Sequence, residues 1–203
     1  MKNIILLFLL SVIGNSINQS KIKSGIITYE TTINPDKIKS YMSGKREQIK
    51  KGMSTKTFDK VYLGSSKVNS TLTFKANKSF FEVEKKILIK DKDIRTRFLT
   101  SWSGGEKIYY SNSKERKSKV KNCKTLGECF IIDSDYSDWT LLQETKKIEN
   151  YLCYKAIKST RKKNVYIVAW YAPEIPVNFG PKGYDGLPGL VLELQEPTII
   201  FKA

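Results

Sequence analysis

From Ser70 to Phe201, apolar residues recur at every second position, in short runs cut by polar or glycine-containing breaks. A period of two is the repeat of a strand whose faces differ in polarity, and it leaves little room for a helical domain. Ser24 to Ile33 carries Ile26, Ile27, Tyr29, Thr31 and Thr32, a β-branched first strand. Thr71–Phe74 and Ser79–Val83 flank Ala76-Asn77-Lys78. Ile94–Trp102 and Lys107–Ser111 flank Ser103-Gly104-Gly105-Glu106, a hairpin turn by composition. Arg116–Lys121, Glu128–Asp133, Trp139–Thr145, Leu152–Thr160, Val165–Tyr171, Leu190–Leu194 and Thr198–Phe201 continue the series. Short links between successive strands predict an antiparallel meander. A sheet of about ten strands must curl, so the expected architecture is mainly β, an open half barrel.

One segment breaks the pattern. Asn34-Pro35-Asp36 supplies an N-cap and a proline at the first helical position, and Gly52 a C-cap. Ile38, Tyr41, Met42 and Ile49 fall roughly on one side. Residues 35–51 are expected to form one N-terminal helix, packed on the half barrel or inside it.

Residues 1–16 have the layout of a secretory signal peptide: Lys2, an apolar stretch from Ile4 to Ile13, and small residues before a cut after Ser16. The apolar stretch is too short to span a bilayer; an uncleaved anchor is the rival reading. Residues 17–203 then suit a single β-rich domain, in the periplasm or secreted. In an exported chain the three cysteines should pair. Cys123 and Cys129 bracket a turn-like loop and are the first choice, leaving Cys153 as a buried thiol. The alternative joins Cys153 to one of them.

Lys and Arg number 36 against 20 Asp and Glu, a net charge of +16. Nucleic acid, anionic lipid or an acidic polymer would suit such a chain. The lysines are spread throughout, however, so a solvated surface is the simpler reading. The densest basic run is Lys114, Arg116, Lys117, Lys119, Lys121 and Lys124, of which Lys117, Lys119 and Lys121 share one strand face. It could touch a membrane surface. Nucleic-acid binding ranks last, because it needs aromatics exposed beside that run.

Chemistry is constrained by what the sequence lacks. It holds no His, which removes Ser-His-Asp and Cys-His catalysis and imidazole-bound metals. A Ser-Lys or carboxylate pair could meet only in three dimensions, and no local spacing suggests one. Asp133, Asp135 and Asp138 alternate, but without the central Gly and distal Glu of a calcium loop. The expectation is a protein without catalytic residues, metal or cofactor.

The densest backbone punctuation lies between Asn178 and Glu193, where Gly180, Pro181, Gly183, Gly186, Pro188 and Gly189 occur together. Glycine permits close approach and positive φ, and proline fixes φ, so such a run specifies a chain path. Pro188-Gly189 suits the centre of a type II turn, with Leu187 and Leu190 docking on either side. It is either a recognition loop across the barrel mouth or, preferably, a bent entry to a core strand. Trp139, Tyr151, Tyr154, Trp170 and Tyr171 lie nearby. Of these, Trp139, Tyr154, Trp170 and Tyr171 are candidates for a ligand or partner surface, against the default of core packing.

The block from Trp139 to Leu194 resembles the GLPGLI family of secreted bacterial proteins. The matching residues are Trp139, Glu144 to Ala156, Ala169-Trp170-Tyr171, Ile175-Pro176, Gly180-Pro181 and Gly186-Leu187-Pro188-Gly189-Leu190-Val191-Leu192. Val191 replaces the final Ile of the naming motif. Members usually continue well beyond this motif, whereas this sequence reaches only Ala203, which leaves the last strand at a sheet edge by expectation. The resemblance implies an envelope protein with no established activity, whose genes often neighbour those of TonB-dependent receptors. Two functions follow as expectations. One is a carrier holding an apolar, lipid-like ligand or a partner segment in its curled sheet. The other is a filled-core accessory protein docking on an outer-membrane receptor.

Overall fold

The computed structural model describes residues 24–38, 66–84, 94–123, 128–134 and 136–203. The proposed signal peptide and most of the helix expected over 35–51 lie outside them; residues 35–38 form a helical turn. Eleven antiparallel strands make one sheet: β1 (Ser24–Ile33), β2 (Val68–Lys75), β3 (Lys78–Val83), β4 (Ile108–Asn112), β5 (Lys117–Asn122), β6 (Phe130–Ser134), β7 (Thr140–Ile148), β8 (Tyr151–Ser159), β9 (Tyr166–Ala172), β10 (Leu190–Gln195) and β11 (Ile199–Lys202).

The strand order is β6-β5-β4-β3-β2-β1-β11-β10-β9-β8-β7. Two meanders are therefore joined where β1 pairs β11, Thr31 opposite Phe201. The strand nearest the end of the sequence sits in the middle of the sheet between β1 and β10, not at an edge as expected. The edges are β6 and β7, which follow one another in sequence without pairing. The sheet is thus a ring cut open at one seam. Its curl is visible in the core. Phe81 and Phe201 lie three strand positions apart, roughly 14 Å along a flat sheet, yet their ring centroids are 6.0 Å apart, edge to face.

Alternation decides the inner face. Tyr29 and Thr31 on β1, Leu72 and Phe74 on β2, Phe81 and Val83 on β3, Leu194 on β10 and Phe201 on β11 are all buried. The register continues one inner row from Ile27 through Leu72, Phe81 and Tyr109 to Val120. A second runs from Gly25 through Phe74, Ser79 and Ser111 to Ser118. The small serines in that second row leave space above the sheet, which another segment fills.

Ile94–Trp102, expected as a strand, lies in the helix α1 (Ile94–Ser103). Ile94, Thr96, Phe98, Thr100 and Trp102 alternate, and that alternation mimics a strand. The residues actually buried are Thr96, Leu99, Thr100 and Ser103, a helical spacing carried mostly by small polar side chains. The Ser103 hydroxyl satisfies itself on the Leu99 carbonyl at 2.7 Å. The Gly104-Gly105 pair, expected to turn a hairpin, instead closes the helix. Gly104 N–H donates to Ser101 O at 3.3 Å and Gly105 N–H to Thr100 O at 2.8 Å, the paired bonds of a glycine C-terminal cap. Helix α1 packs against β1, β2 and β11.

Cys123 and Cys129 are joined at the base of the β5–β6 hairpin, with Cα atoms 3.9 Å apart, and Cys153 is a buried free thiol.

Candidate functional site

Between β9 and β10 the chain does not take a short turn. Residues 173–189, which hold most of the glycine and proline punctuation, lie along the inner face of the sheet. Val177, Phe179 and Leu187 are buried there in the main core, and Phe179 meets Phe74 at 6.0 Å between centroids. The segment is secured on several sides. Val177 bonds back to Ile175, Val191 N–H donates to Phe179 O, Leu190 N–H to Ile175 O and Gly186 N–H to Asn178 O. The Asn178 carboxamide donates to Leu187 O at 2.9 Å.

At its centre is Asp185, which the sequence analysis did not single out. Its carboxylate is buried, accepts the Ser111 hydroxyl from β4, and accepts the Gly180 N–H at 3.0 Å. The Ser111 hydroxyl lies 3.4 Å from that of Ser118 on β5. The Asp185 carbonyl accepts the Trp139 indole N–H at 2.9 Å, just before β7. One residue therefore ties the crossing segment to both sides of the open seam. Burial pushes the Asp185 carboxyl up to about 6, against the opposing pull of its bonds from Ser111 and Gly180. The residue is 1% exposed, so its bonds position the segment from inside the core.

A second attachment uses Lys182, whose backbone is left-handed at φ 56°. Its ammonium donates to Trp102 O at 3.0 Å, in the last turn of α1, and to Glu196 Oε1 at 2.7 Å. A cation at a helix C-terminus is favourable, and both members of this ion pair are largely buried. Burial and the Glu196 carboxylate push the Tyr109 hydroxyl up to about 12, and burial, then Glu196, raise that of Tyr184 further.

Residues 186–190 pack as expected but turn differently. Leu187 and Leu190 are both buried. Gly189 has φ 159°, nearly extended, and not the value near +80° that a type II turn requires. Its glycine is needed for space: a Cβ there would fall onto the carbonyl of Ala172 and within 2.8 Å of Pro173 N. Gly186 combines a positive φ of 97° with a Tyr136 ring 2.7 Å from where a Cβ would stand. Gly180 is closed in by Tyr184 O and Val191, and Pro181 opens the short 3₁₀ turn Pro181–Gly183.

The candidate aromatics divide between two faces. Tyr171 is buried and Tyr154 half-buried, paired across β8 and β9 with centroids 6.1 Å apart. Trp170 necessarily points the other way, onto the outer face, where the Lys146 ammonium lies 4.5 Å and that of Lys155 5.9 Å from its ring centre. Lys146 also pairs Glu193 at 2.8 Å. Trp139 is half-buried against Tyr184 and borders an open cleft of about 680 Å³ with Tyr136, Asp138, Thr140, Ile157, Lys158 and Ser159. The lining is mixed, with no continuous apolar wall.

Of the basic run, Lys117, Lys119 and Lys121 lie along β5, and Lys119 meets Asp133 of β6 at 3.4 Å. Exposed hydrophobic side chains flank this run on both neighbouring strands, with Tyr110 of β4 opposite Lys119 and Ile131 of β6 opposite Lys121. Ile26, Phe80 and Tyr110 share one outer row with Thr73, and Phe130, Ile131 and Ile132 make up most of β6.

Residues 157–193 match a family model described as a protein of unknown function (Porph_ging). No curated protein matches the chain. Two solved structures, of PNGF-II in space groups C2 and P21, share the fold with TM-scores of 0.52 and 17% identity. They cover 87% and 89% of this chain, which corresponds to 26% and 27% of theirs. The chain thus spans about a quarter of the length of those proteins, and at this identity the likeness concerns the fold alone. The Porph_ging match ends in β10 and includes the whole crossing segment, so the part of the chain with a recognisable family pattern is the part that fills the sheet.

Proposed function

We propose that this chain is a non-enzymatic protein of the bacterial envelope that works as an interaction module, presenting the outer face and edges of a filled half barrel to a protein partner. The observation that carries this reading is the occupation of the inner face by residues 173–189. A carrier would need that space for its ligand; here Val177, Phe179 and Leu187 already hold it. The cleft at Trp139 is open and mixed in polarity, a poor match for an apolar cargo. Asp185, the most perturbed carboxyl among the described residues, is sealed inside. The occurrence of this fold as about a quarter of longer chains fits a module that serves something larger.

The finer assignment also belongs to this proposal: membership of the GLPGLI family, export after cleavage at Ser16, and an outer-membrane receptor as the partner. Native mass spectrometry of protein purified from the periplasm, followed by organic extraction, tests the central point. The expected spectrum shows a mature chain beginning at residue 17 with no extractable apolar adduct. A stoichiometric lipid-like adduct would restore the carrier and remove this reading.

A further inference from the structure

We infer that the free edge of β6 is a strand-addition site for an extended partner segment in which apolar and acidic residues alternate. This inference rests on the interaction-module reading and names its surface.

Four observations meet at this edge. First, β6 ends the sheet order, so among the described residues no strand pairs with its outer side. A terminal strand offers a row of unused N–H and C=O groups. Second, the strand is receptive in composition. Phe130, Ile131 and Ile132 are 37%, 66% and 55% exposed, on both faces of the sheet, and the strand contains no Pro, Gly or bulge. Third, the opposite edge is guarded in the usual ways. In β7 the register with β8 shifts between Leu141 and Thr145, and Lys146 and Lys147 follow. A general neglect of edge protection therefore does not explain β6. Fourth, the Cys123–Cys129 disulfide closes the β5–β6 hairpin next to Phe130, which limits the freedom an incoming strand would otherwise have to remove.

Register and charge set the partner's chemistry. Phe130 and Ile132 lie on the inner side, Ile132 in the row that continues through Val120 and Tyr109 and Phe130 opposite Asn122. A strand added beside them would set apolar residues on that side. The outer side carries Ile131 and Asp133 next to Lys121 and Lys119, with Lys117 on the same face of β5. The added strand would stand roughly 10 Å from β5, within reach of extended lysine side chains that meet midway with carboxylates. Among the described residues Lys119 has one ion pair, an exposed one with Asp133, of the kind worth little in water. A second copy of this chain is a poor occupant, because each brings a net charge of +16 and the same lysines. Main-chain bonds would give affinity, and the alternating side chains specificity.

The test uses the full mature chain and two acetylated eight-residue peptides, (Val-Glu)4 and (Val-Lys)4. Amide hydrogen exchange at residues 130–134 is followed by NMR. The glutamate peptide is expected to protect those amides and the lysine peptide to leave them unchanged. The exposed double variant Ile131→Ser, Ile132→Ser, which removes apolar surface without changing charge, should weaken the effect at least about tenfold, and Lys117→Glu with Lys121→Glu should reverse the peptide preference. Equal protection by both peptides would overturn the charge argument. Protection confined to β7 or to the outer face, or self-association abolished by the same variants, would overturn the site. Photocrosslinking in cells separates this inference from the reading beneath it. A discrete partner crosslinked at Ile26 but not at Ile131 would sink the β6 site and leave the interaction module standing. A lipid adduct in the native spectrum would remove both.

Discussion

Asp185→Asn is expected to stabilise the protein at neutral pH and leave it unchanged in acid. The carboxyl is pushed up to about 6 in the folded chain from an ordinary value of 3.8. Folding therefore favours its protonated form. Below about pH 3 both states are protonated and the group costs nothing, and at pH 4 the cost is still only about 0.5 kcal/mol. As pH rises from about 4 to 6 the unfolded chain releases its proton first, and stability falls. At about 1.4 kcal/mol per unit, the loss above pH 6 is about 3 kcal/mol. Asparagine keeps the geometry without the charge: its carbonyl can accept from Gly180 N–H, and its amide can donate to Ser111 Oγ, whose proton can turn toward Ser118. Urea unfolding of both proteins at several pH values from 4 to 8 reads the difference directly. The chain contains no His, so the usual titration of that range is missing and the difference curve reports Asp185 cleanly. Stability equal to within about 0.5 kcal/mol at pH 4, with the variant ahead by about 3 kcal/mol at pH 7, is the expected result. A variant less stable than wild type at pH 7, with the slope between pH 4 and 6 unchanged, would refute the account of a buried carboxylate whose two hydrogen bonds only partly offset its desolvation.

Gly189→Ala should cost about 3 kcal/mol in urea unfolding, because its Cβ would be forced against the Ala172 carbonyl in a packed core. Trp139→Phe keeps a ring against Tyr184 but loses the indole bond to Asp185 O; the expected loss is about 1 kcal/mol, read the same way. Replacing Cys123 and Cys129 together by Ser opens a short loop and should lower stability by about 2 kcal/mol in the chain-entropy picture. Measured under oxidising conditions, that loss should vanish when wild type is compared after reduction.

The strands were legible because their signal is local. On β2 and β3 the inner positions Val68, Leu72, Phe74, Phe81 and Val83 are apolar, with Ser70 and Ser79 as small exceptions, and the positions between them are partly or fully exposed. Such alternation survives without knowledge of any neighbour. The order of the strands was less legible, because the pairing of β1 with β11 joins Thr31 to Phe201, and nothing within either segment announces it. The helix α1 failed for a specific reason. Its buried stripe is Thr96, Leu99, Thr100 and Ser103, so three of the four inward residues look like solvent residues, while Ile94, Phe98 and Trp102 imitate a strand.

Asp185 was hidden by the opposite effect. An aspartate between Tyr184 and Gly186, in a glycine-rich run, looks like loop chemistry. Its meaning comes from Ser111, far away in sequence and separately unremarkable. The Gly and Pro residues around it disclosed that a defined path existed, and the structure supplies the reason: residues 173–189 must approach β9, β10 and the 136–139 link closely enough that a methyl group at Gly186 or Gly189 has no room. The same crossing explains why the seam stays open. Trp139 and Tyr136, in the link between the two edge strands, are committed to Asp185 and Gly186, and this packing holds the link on the crossing segment while β6 and β7 remain apart. Filling the half barrel and exposing its β6 edge are thus two consequences of one arrangement, and a change that loosens Asp185 should be felt at that edge as well as in the core.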